Sequence, residues 1–315
     1  MIDARHLVRR FGTHIALSEC SFEVDRGTIF GLVGPNGAGK TTTLRILAGL
    51  LAPSGGTAFV DGIDVGADPQ AARERVGWMP DFFGVYERMT AAEYLSFYAD
   101  CHRVPARRVP AVVADLLELV NLADRAATPV DVLSRGMKQR LCLARSLVHD
   151  PSVLLLDEPA SGLDPRARVE LRELLRELRD MDKTIVVSSH ILPELAEMCT
   201  SFGFIHGGRM IASGPLEAIT GPIERSSVRI EVGGDAATAE RLVASLAEVH
   251  AVRCDGQVLD IELNGPHETT SAVIAAMVRS DVPIRAVAPR TSSLEEVFMQ
   301  MTSTDVGEHG VRLQR

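Results

Sequence analysis

The segment Gly34-Pro35-Asn36-Gly37-Ala38-Gly39-Lys40-Thr41 constrains this chain more than any other. It follows Thr28-Ile29-Phe30-Gly31-Leu32-Val33, an apolar run that reads as a buried strand, and it opens a helical pattern from about Gly39 to Leu50. A strand that is apolar throughout needs cover on both faces, so the order strand, glycine turn, helix calls for an α/β layer structure. The chemistry is equally specific. Glycines let successive backbone N–H groups curl around a phosphate, and the helix N-terminus adds its positive dipole end. Lys40 is placed to reach the β- and γ-phosphates of a nucleoside triphosphate, and the Thr41 hydroxyl to ligate Mg²⁺. Only three of the 33 basic residues are lysine, so one standing at the motif position is not a product of composition.

A phosphate loop alone leaves kinases, GTPases, helicases and transport ATPases open. Val153-Leu154-Leu155-Leu156-Asp157-Glu158 narrows the field, being a buried strand that ends in two carboxylates. In isolation this could be a solvated strand end. Beside Lys40 it reads as a pair in which Asp157 holds the Mg²⁺ shell and Glu158 polarises a water against the γ-phosphate.

The first 220 residues alternate short apolar runs with helical patterns, which predicts a mostly parallel sheet. Lys183 to Ser188 is a further buried strand, reached through a charged helix with Pro165 in its first turn. From about 90 to 150 the signals are helical, as for a helical subdomain. Beyond Gly221-Pro222 the pattern changes to half-exposed strands: Val228, Ile230 and Val232 alternate with Arg229 and Glu231. Asp235 can cap a helix, two strands flank Asp255-Gly256, and a helix from about His267 to Arg279 precedes an apolar run at Val282 to Ala288. That order, βαββαβ, predicts a small α+β, ferredoxin-like domain over 221–302, with 303–315 as a tail.

Composition excludes other classes. A chain of 315 residues, 46% hydrophobic and 24% charged, is globular, with room for two domains. The longest apolar run, Ala272 to Val278, is far short of a bilayer span, and the opening MIDARHLVRRFG is too charged for a signal peptide. These features predict a cytoplasmic chain. A net charge of −9 argues against a nucleic-acid partner. The five cysteines are too widely spaced for a metal knuckle and read as small buried thiols.

Three further motifs complete an order. Leu133-Ser134-Arg135-Gly136-Met137-Lys138-Gln139-Arg140 precedes the acidic strand, Ser161-Gly162-Leu163-Asp164 follows it, and Ser188-Ser189-His190 closes the next strand. With them, residues 2–220 resemble the ATP-binding subunit of an ATP-binding cassette (ABC) transporter, whose signature LSGGQ is kept here at Leu133, Ser134 and Gly136. The resemblance implies that Phe11 stacks on adenine and that Gly34, Asn36, Gly37, Ala38, Gly39, Lys40, Thr41 and Thr42 bind ATP. It implies Glu158 as general base, His190 as γ-phosphate contact, and Thr41, Asp157 and Asp81 toward Mg²⁺. Ser134 and Gly136 are then expected to serve the ATP of a second subunit, with Asp164 signalling across a homodimer.

A separate integral-membrane permease is the other implied partner, which places the subunit peripherally on the inner face of the cell membrane and in export. The segment after 220, ending near Leu294-Glu295-Glu296-Val297-Phe298, resembles the C-terminal extension of bacterial exporter-type cassettes. A non-transport ABC ATPase of DNA repair or translation is the alternative; this chain lacks the second cassette, long insertion or basic arms of those relatives.

Three positions depart from the family: Arg135 and Met137 in the signature, and Asp81 where Gln is usual. Asp is shorter and anionic, and is expected to favour metal over water. Around it lies an aromatic cluster, Trp78, Phe82, Phe83, Tyr86, Tyr94, Phe97 and Tyr98, which reads either as subdomain core or as a groove for a permease helix lined by Phe82, Phe83 and Tyr86.

Overall fold

β1 (Ile2–Phe11) and β2 (His14–Val24) open the chain as an antiparallel hairpin, with Phe11 opposite His14 across the turn Gly12-Thr13. The sequence reading did not anticipate this hairpin. β3 (Ile29–Val33), buried at all five positions, runs through the phosphate loop into α1 (Lys40–Leu47). β4 (Gly55–Val60) and β5 (Ile63–Asp64) add to β1. α2 (Pro69–Arg75), capped by Asp68, then delivers β6 (Val76–Met79). The computed structural model describes residues 1–81, 88–220, 227–264 and 269–290.

The helical block follows. α3 (Ala91–Cys101) starts in a capping box between Thr90 and Glu93, α4 (Val109–Leu119) packs on it, and α5 (Arg135–Leu147) is capped by Ser134. Arg145 of α5 lies 5.1 Å over the Tyr98 ring and donates to the Trp78 carbonyl at 3.2 Å. It thereby ties the block to the strand leading to Asp81. Of the aromatic cluster, Tyr94 is fully buried, Tyr98 meets Tyr94 and Phe97 edge-on, and Trp78 packs on the main core. Phe82, Phe83 and Tyr86 lie outside the described residues.

β7 (Val153–Asp157), α6 (Pro165–Asp180), β8 (Thr184–Ser189), α7 (Leu192–Ala196), β9 (Ser201–His206), β10 (Arg209–Pro215) and α8 (Leu216–Thr220) complete this part. The chain divides into two compact units, Met1–Leu216 and Glu217–Arg315.

The first unit holds two sheets. One has the order β10-β9-β3-β8-β7-β6 and is parallel except for β10. The other, β2-β1-β4-β5, is antiparallel throughout, so the expectation of a mostly parallel sheet holds only for the first. The reason is burial. β3, β7 and β8 are covered on both faces and read as apolar runs, whereas β2 alternates only in its second half and hides in a polar-looking sequence. One apolar cluster joins Leu7, Leu17 and Phe22 of the antiparallel sheet to Leu44, Ile46 and Leu47 of α1 and to Phe30, Leu155 and Val186 of the parallel sheet. Each such side chain contributes roughly 1.5–3 kcal/mol on burial, which holds α1 firmly between the sheets.

The second unit contains β11 (Ser227–Val232), α9 (Ala236–Ala244), β12 (Val249–Asp255), β13 (Val258–Leu263), α10 (Thr269–Arg279) and β14 (Ile284–Arg290). Its sheet order is β12-β13-β11-β14 with every pair antiparallel, over its own core of residues such as Ile230, Val243, Ile261 and Met277. Asp235 caps α9 as expected, accepting from the Ala237 N–H at 3.1 Å. The hairpin turn is Gly256-Gln257 rather than Asp255-Gly256, because Asp255 still pairs with Val258. Leu294 to Phe298 and 303–315 lie outside the described residues. Cys20 and Cys142 are buried as expected, but Cys101 is exposed.

Candidate active site

Four loops at the carboxyl ends of adjacent parallel strands build the site, the usual place for a ligand in an open α/β sheet. β3 runs into the phosphate loop, β8 ends just before His190, β7 ends in Asp157, and β6 ends two residues before Asp81. Since β3, β8, β7 and β6 are consecutive neighbours, residues far apart in sequence arrive at one edge.

The phosphate loop is held by close packing. Gly39 caps α1 at φ +110°, and a Cβ there would stand 2.7 Å from Leu17 and 2.8 Å from the Ala16 carbonyl. Only glycine fits. Lys40 is 6% exposed, and its Nζ donates to the carbonyls of Gly34 at 2.6 Å and Pro35 at 3.3 Å. Ala38 is buried with its N–H bonded to the Pro35 carbonyl, so it shapes the loop from within.

The acidic pair is equally well fixed. Thr41 Oγ1 donates to Asp157 Oδ2 at 2.8 Å, while Ser188 Oγ donates to Oδ1 at 2.6 Å. Asp157, 2% exposed, thus carries a hydroxyl on each carboxylate oxygen. The next residue, Glu158, adopts φ +49°, and its carboxylate spans Lys40 Nζ at 3.4 Å and His190 Nδ1 at 3.0 Å. The lysine, both carboxylates, the threonine and the histidine are therefore one connected cluster.

A hydroxyl beside a buried carboxylate is oxygen-donor chemistry suited to a hard divalent cation that takes the rest of its shell from phosphate and water. Thr41 and Asp157 fit Mg²⁺ in this sense. Asp81 faces the same space. Burial, then the carboxylates of Asp157 and Glu158, push its proton affinity above the ordinary carboxylate range, while Arg135 and His190 pull it back.

A cleft of about 350 Å³ runs from Lys40, Thr41, Asp81 and Glu158 past Asn36, Gly37, Gly39 and Thr42 to Phe11, His14 and Ala16. Phe11 is 47% exposed, and the Arg9 guanidinium lies 4.6 Å from its ring centroid. A solvent-facing ring at the far end of a phosphate cleft can stack a base. Sequence reading missed His14 and Ala16. The signal was the Gly12-Thr13 turn, which returns them beside Phe11.

The structure does not bring Ser134, Gly136 and Asp164 to the lining of this cleft. Ser134 caps α5 through the Met137 N–H at 3.3 Å, and Asp164 caps α6 through the Ala167 N–H at 2.9 Å. Gly136 faces Leu163 and Ala167, and the Arg135 guanidinium lies against Gly162, so the two helix starts meet. Gln139, one turn into α5, was not singled out from sequence; it is buried and bonded to the Pro159 carbonyl.

The family profile described as "ABC transporter" matches residues 17–161. Among curated proteins, the chain is 36% identical over 307 residues to "Nod factor export ATP-binding protein I" of Ralstonia nicotianae, covering 97% of this chain and 95% of that one. It is 35% identical over 300 residues to "Daunorubicin resistance ATP-binding protein DrrA3" of Streptomyces coeruleorubidus, with 94% of each covered. Among solved structures, an ATP-binding subunit of an ABC transporter superposes with TM-score 0.63 at 30% identity, over 70% of this chain and 91% of that chain. A dimeric cassette in a post-hydrolysis state with ADP and Pi gives TM-score 0.63 at 22% identity, over 69% and 99%, and shares the fold.

Proposed function

The chain belongs to the ABC transporter family as an ATP-binding subunit, and from that premise we propose that it hydrolyses ATP to energise export through a separate membrane permease. It has the ABC ATPase cassette fold, with mixed α/β sheets and helices. The observation that carries the reading is the Glu158 carboxylate, held between Lys40 at 3.4 Å and His190 at 3.0 Å beside the Thr41–Asp157 pair. The relatives supply the direction of transport: one is named for export of Nod factor, the other for daunorubicin resistance.

In this reading adenine lies on Phe11, and the triphosphate follows Asn36 to Thr42 into the field of Lys40 and the α1 N-terminus. Thr41 and Asp157 would hold Mg²⁺, with Asp81 lining the same cleft. When bound, such a cation would neutralise charge on the phosphates. Glu158 accepts the proton of the attacking water as the water oxygen bonds the γ-phosphorus and the bridge to the β-phosphate breaks, leaving ADP and phosphate. His190 orients Glu158 and contacts the γ-phosphate.

Ser134 and Gly136 of each subunit serve the ATP held by the other in a homodimer, with Asp164 relaying between the two sites. The joined N-termini of α5 and α6 support this, since such ends favour an anion presented from outside. Phe82, Phe83 and Tyr86 receive the permease, which places the subunit on the cytoplasmic face of the membrane. The domains in this reading are a cassette over 1–220, a ferredoxin-like extension over 221–302 and a tail over 303–315. The sheet order β12-β13-β11-β14 supports the extension's fold.

The test is to co-express the chain with a candidate integral-membrane permease from the same genome and assay inside-out vesicles. ATP-dependent uptake that vanishes with Glu158→Gln supports the proposal. Vesicles that hydrolyse ATP without moving any exported compound, or a chain that never co-purifies with a permease, overturn it.

A further inference from the structure

Ser188 stands beside Asp157 in the parallel ladder between β7 and β8, in a strand buried at every position. A hydroxyl at a fully buried strand position needs partners. This one has two, both belonging to the acidic pair. Its Oγ donates to Asp157 Oδ1 at 2.6 Å, a charge-assisted bond, and accepts from the Glu158 N–H at 3.1 Å. The Ser188 carbonyl accepts from the same N–H, also at 3.1 Å.

The second contact matters because Glu158 sits at φ +49°, a region that side-chain-bearing residues rarely adopt and that persists only where the surroundings over-determine it. Ser188 supplies that constraint from both its backbone and its side chain. With Oδ1 engaged by Ser188, Asp157 directs Oδ2 to Thr41, and with its N–H engaged, Glu158 turns its carboxylate between Lys40 and His190.

We infer that Ser188 is a positioning residue for hydrolysis: its hydroxyl fixes the metal-side carboxylate of Asp157 and the backbone of Glu158 in one mutual geometry. This rests on the roles proposed above for Asp157 and Glu158.

The test compares Ser188→Ala with Ser188→Thr, which restores the hydroxyl, each normalised to the fraction that binds a fluorescent ATP analogue in EDTA. Ser188→Ala keeps the backbone half of the clamp, so the fold is expected to stand. Its kcat is expected to fall about tenfold or more, with KM for ATP changed less than about threefold. The Mg²⁺ concentration that half-maximally alters analogue binding, read without turnover, is expected to rise about threefold or more, and Ser188→Thr to recover most of both losses.

The inference is overturned if Ser188→Ala stays within about twofold of the parent in kcat and in the Mg²⁺ midpoint. It is equally overturned if Ser188→Thr, normalised in the same way, is as impaired as Ser188→Ala. Glu158→Gln separates the two layers: if it keeps parental turnover, the underlying site assignment fails, whereas an inactive Glu158→Gln beside an unaffected Ser188→Ala removes the role of Ser188 alone.

Discussion

Gln139, buried in α5, donates from Nε2 to the Pro159 carbonyl at 2.6 Å, which fastens the helix opened by Ser134 to the turn directly after Glu158. Gln139→Leu keeps the volume and leaves that carbonyl without its donor, at a cost of about 1–3 kcal/mol. Urea unfolding is expected to show that loss, and steady-state kinetics a severalfold drop in kcat at nearly constant KM. An unchanged kcat would mean that this bond serves stability only.

Glu158→Gln retains the shape but not the basicity of the side chain. Turnover is expected to fall by about 10²–10⁴ with ATP binding intact. His190→Ala removes the partner of Glu158 Oε2 and is expected to act in the same direction with a smaller loss. Phosphate release measured beside nucleotide binding checks both.

Asp81 places a third carboxyl in the cleft beside the Asp157–Glu158 pair. Asp81→Gln and Asp81→Asn each remove that charge. The Mg²⁺ concentration for half-maximal ATPase is expected to shift by about threefold or more in at least one of them, as for other groups close to a metal shell. Parental Mg²⁺ dependence in both variants would exclude a metal-sensing role.

Gly162 adopts φ +68°, and a Cβ there would lie 2.4 Å from the Arg135 guanidinium carbon. Gly162→Ala is therefore expected to cost about 1–2 kcal/mol of backbone strain besides displacing the arginine. Adding Arg135→Ala should relieve only the steric part. Full restoration of stability in the double variant would show that backbone conformation at Gly162 carries no strain.

Acid sensitivity should trace in part to His149. Burial above all, then the stacked His102 ring 3.9 Å away, hold its pKa down to about 4, although its Nε2 meets the Val76 carbonyl at 3.2 Å. An unfolded histidine binds its proton near pH 6.5, so the unfolded state holds more protons between pH 6.5 and 4. Stability is thus fully present above 6.5 and is lost as pH falls through that window, by about 1–3 kcal/mol. In His149→Gln the Tm should decline less over that interval than in the parent. Parallel Tm profiles in the two proteins would contradict this account.

What was legible in the sequence follows from what local chemistry can encode. The strand–loop–helix at Gly34 to Thr41, the carboxylates at Asp157 and Glu158, and the cap at Asp235 all act through neighbours in the chain, so their residue types announce them. The antiparallel sheet was missed because β2 alternates only in its second half, where Cys20, Phe22 and Val24 are buried between exposed Ser21 and Glu23; the irregularity at Glu19, with φ +58°, breaks the period and leaves Ala16 and Leu17 both buried. The hairpin turn lies one residue later than the sequence suggested, because Gly256 at φ +60° takes the first turn position while Asp255 stays in the ladder opposite Val258.

By itself the sequence determined the residue types, a glycine-rich loop with Lys40 and Thr41, the carboxylates Asp157 and Glu158, and His190, in an order that marks an ATP-binding cassette. The tertiary structure decided which of these groups meet. Parallel pairing of β6, β7, β8 and β3 brings Asp81, Asp157, Ser188 and Lys40 to one edge, and only there does the hydroxyl of Ser188 find the carboxylate beside it. A buried serine in an apolar strand carries no local signal, since the partners that satisfy it are supplied by a neighbouring strand.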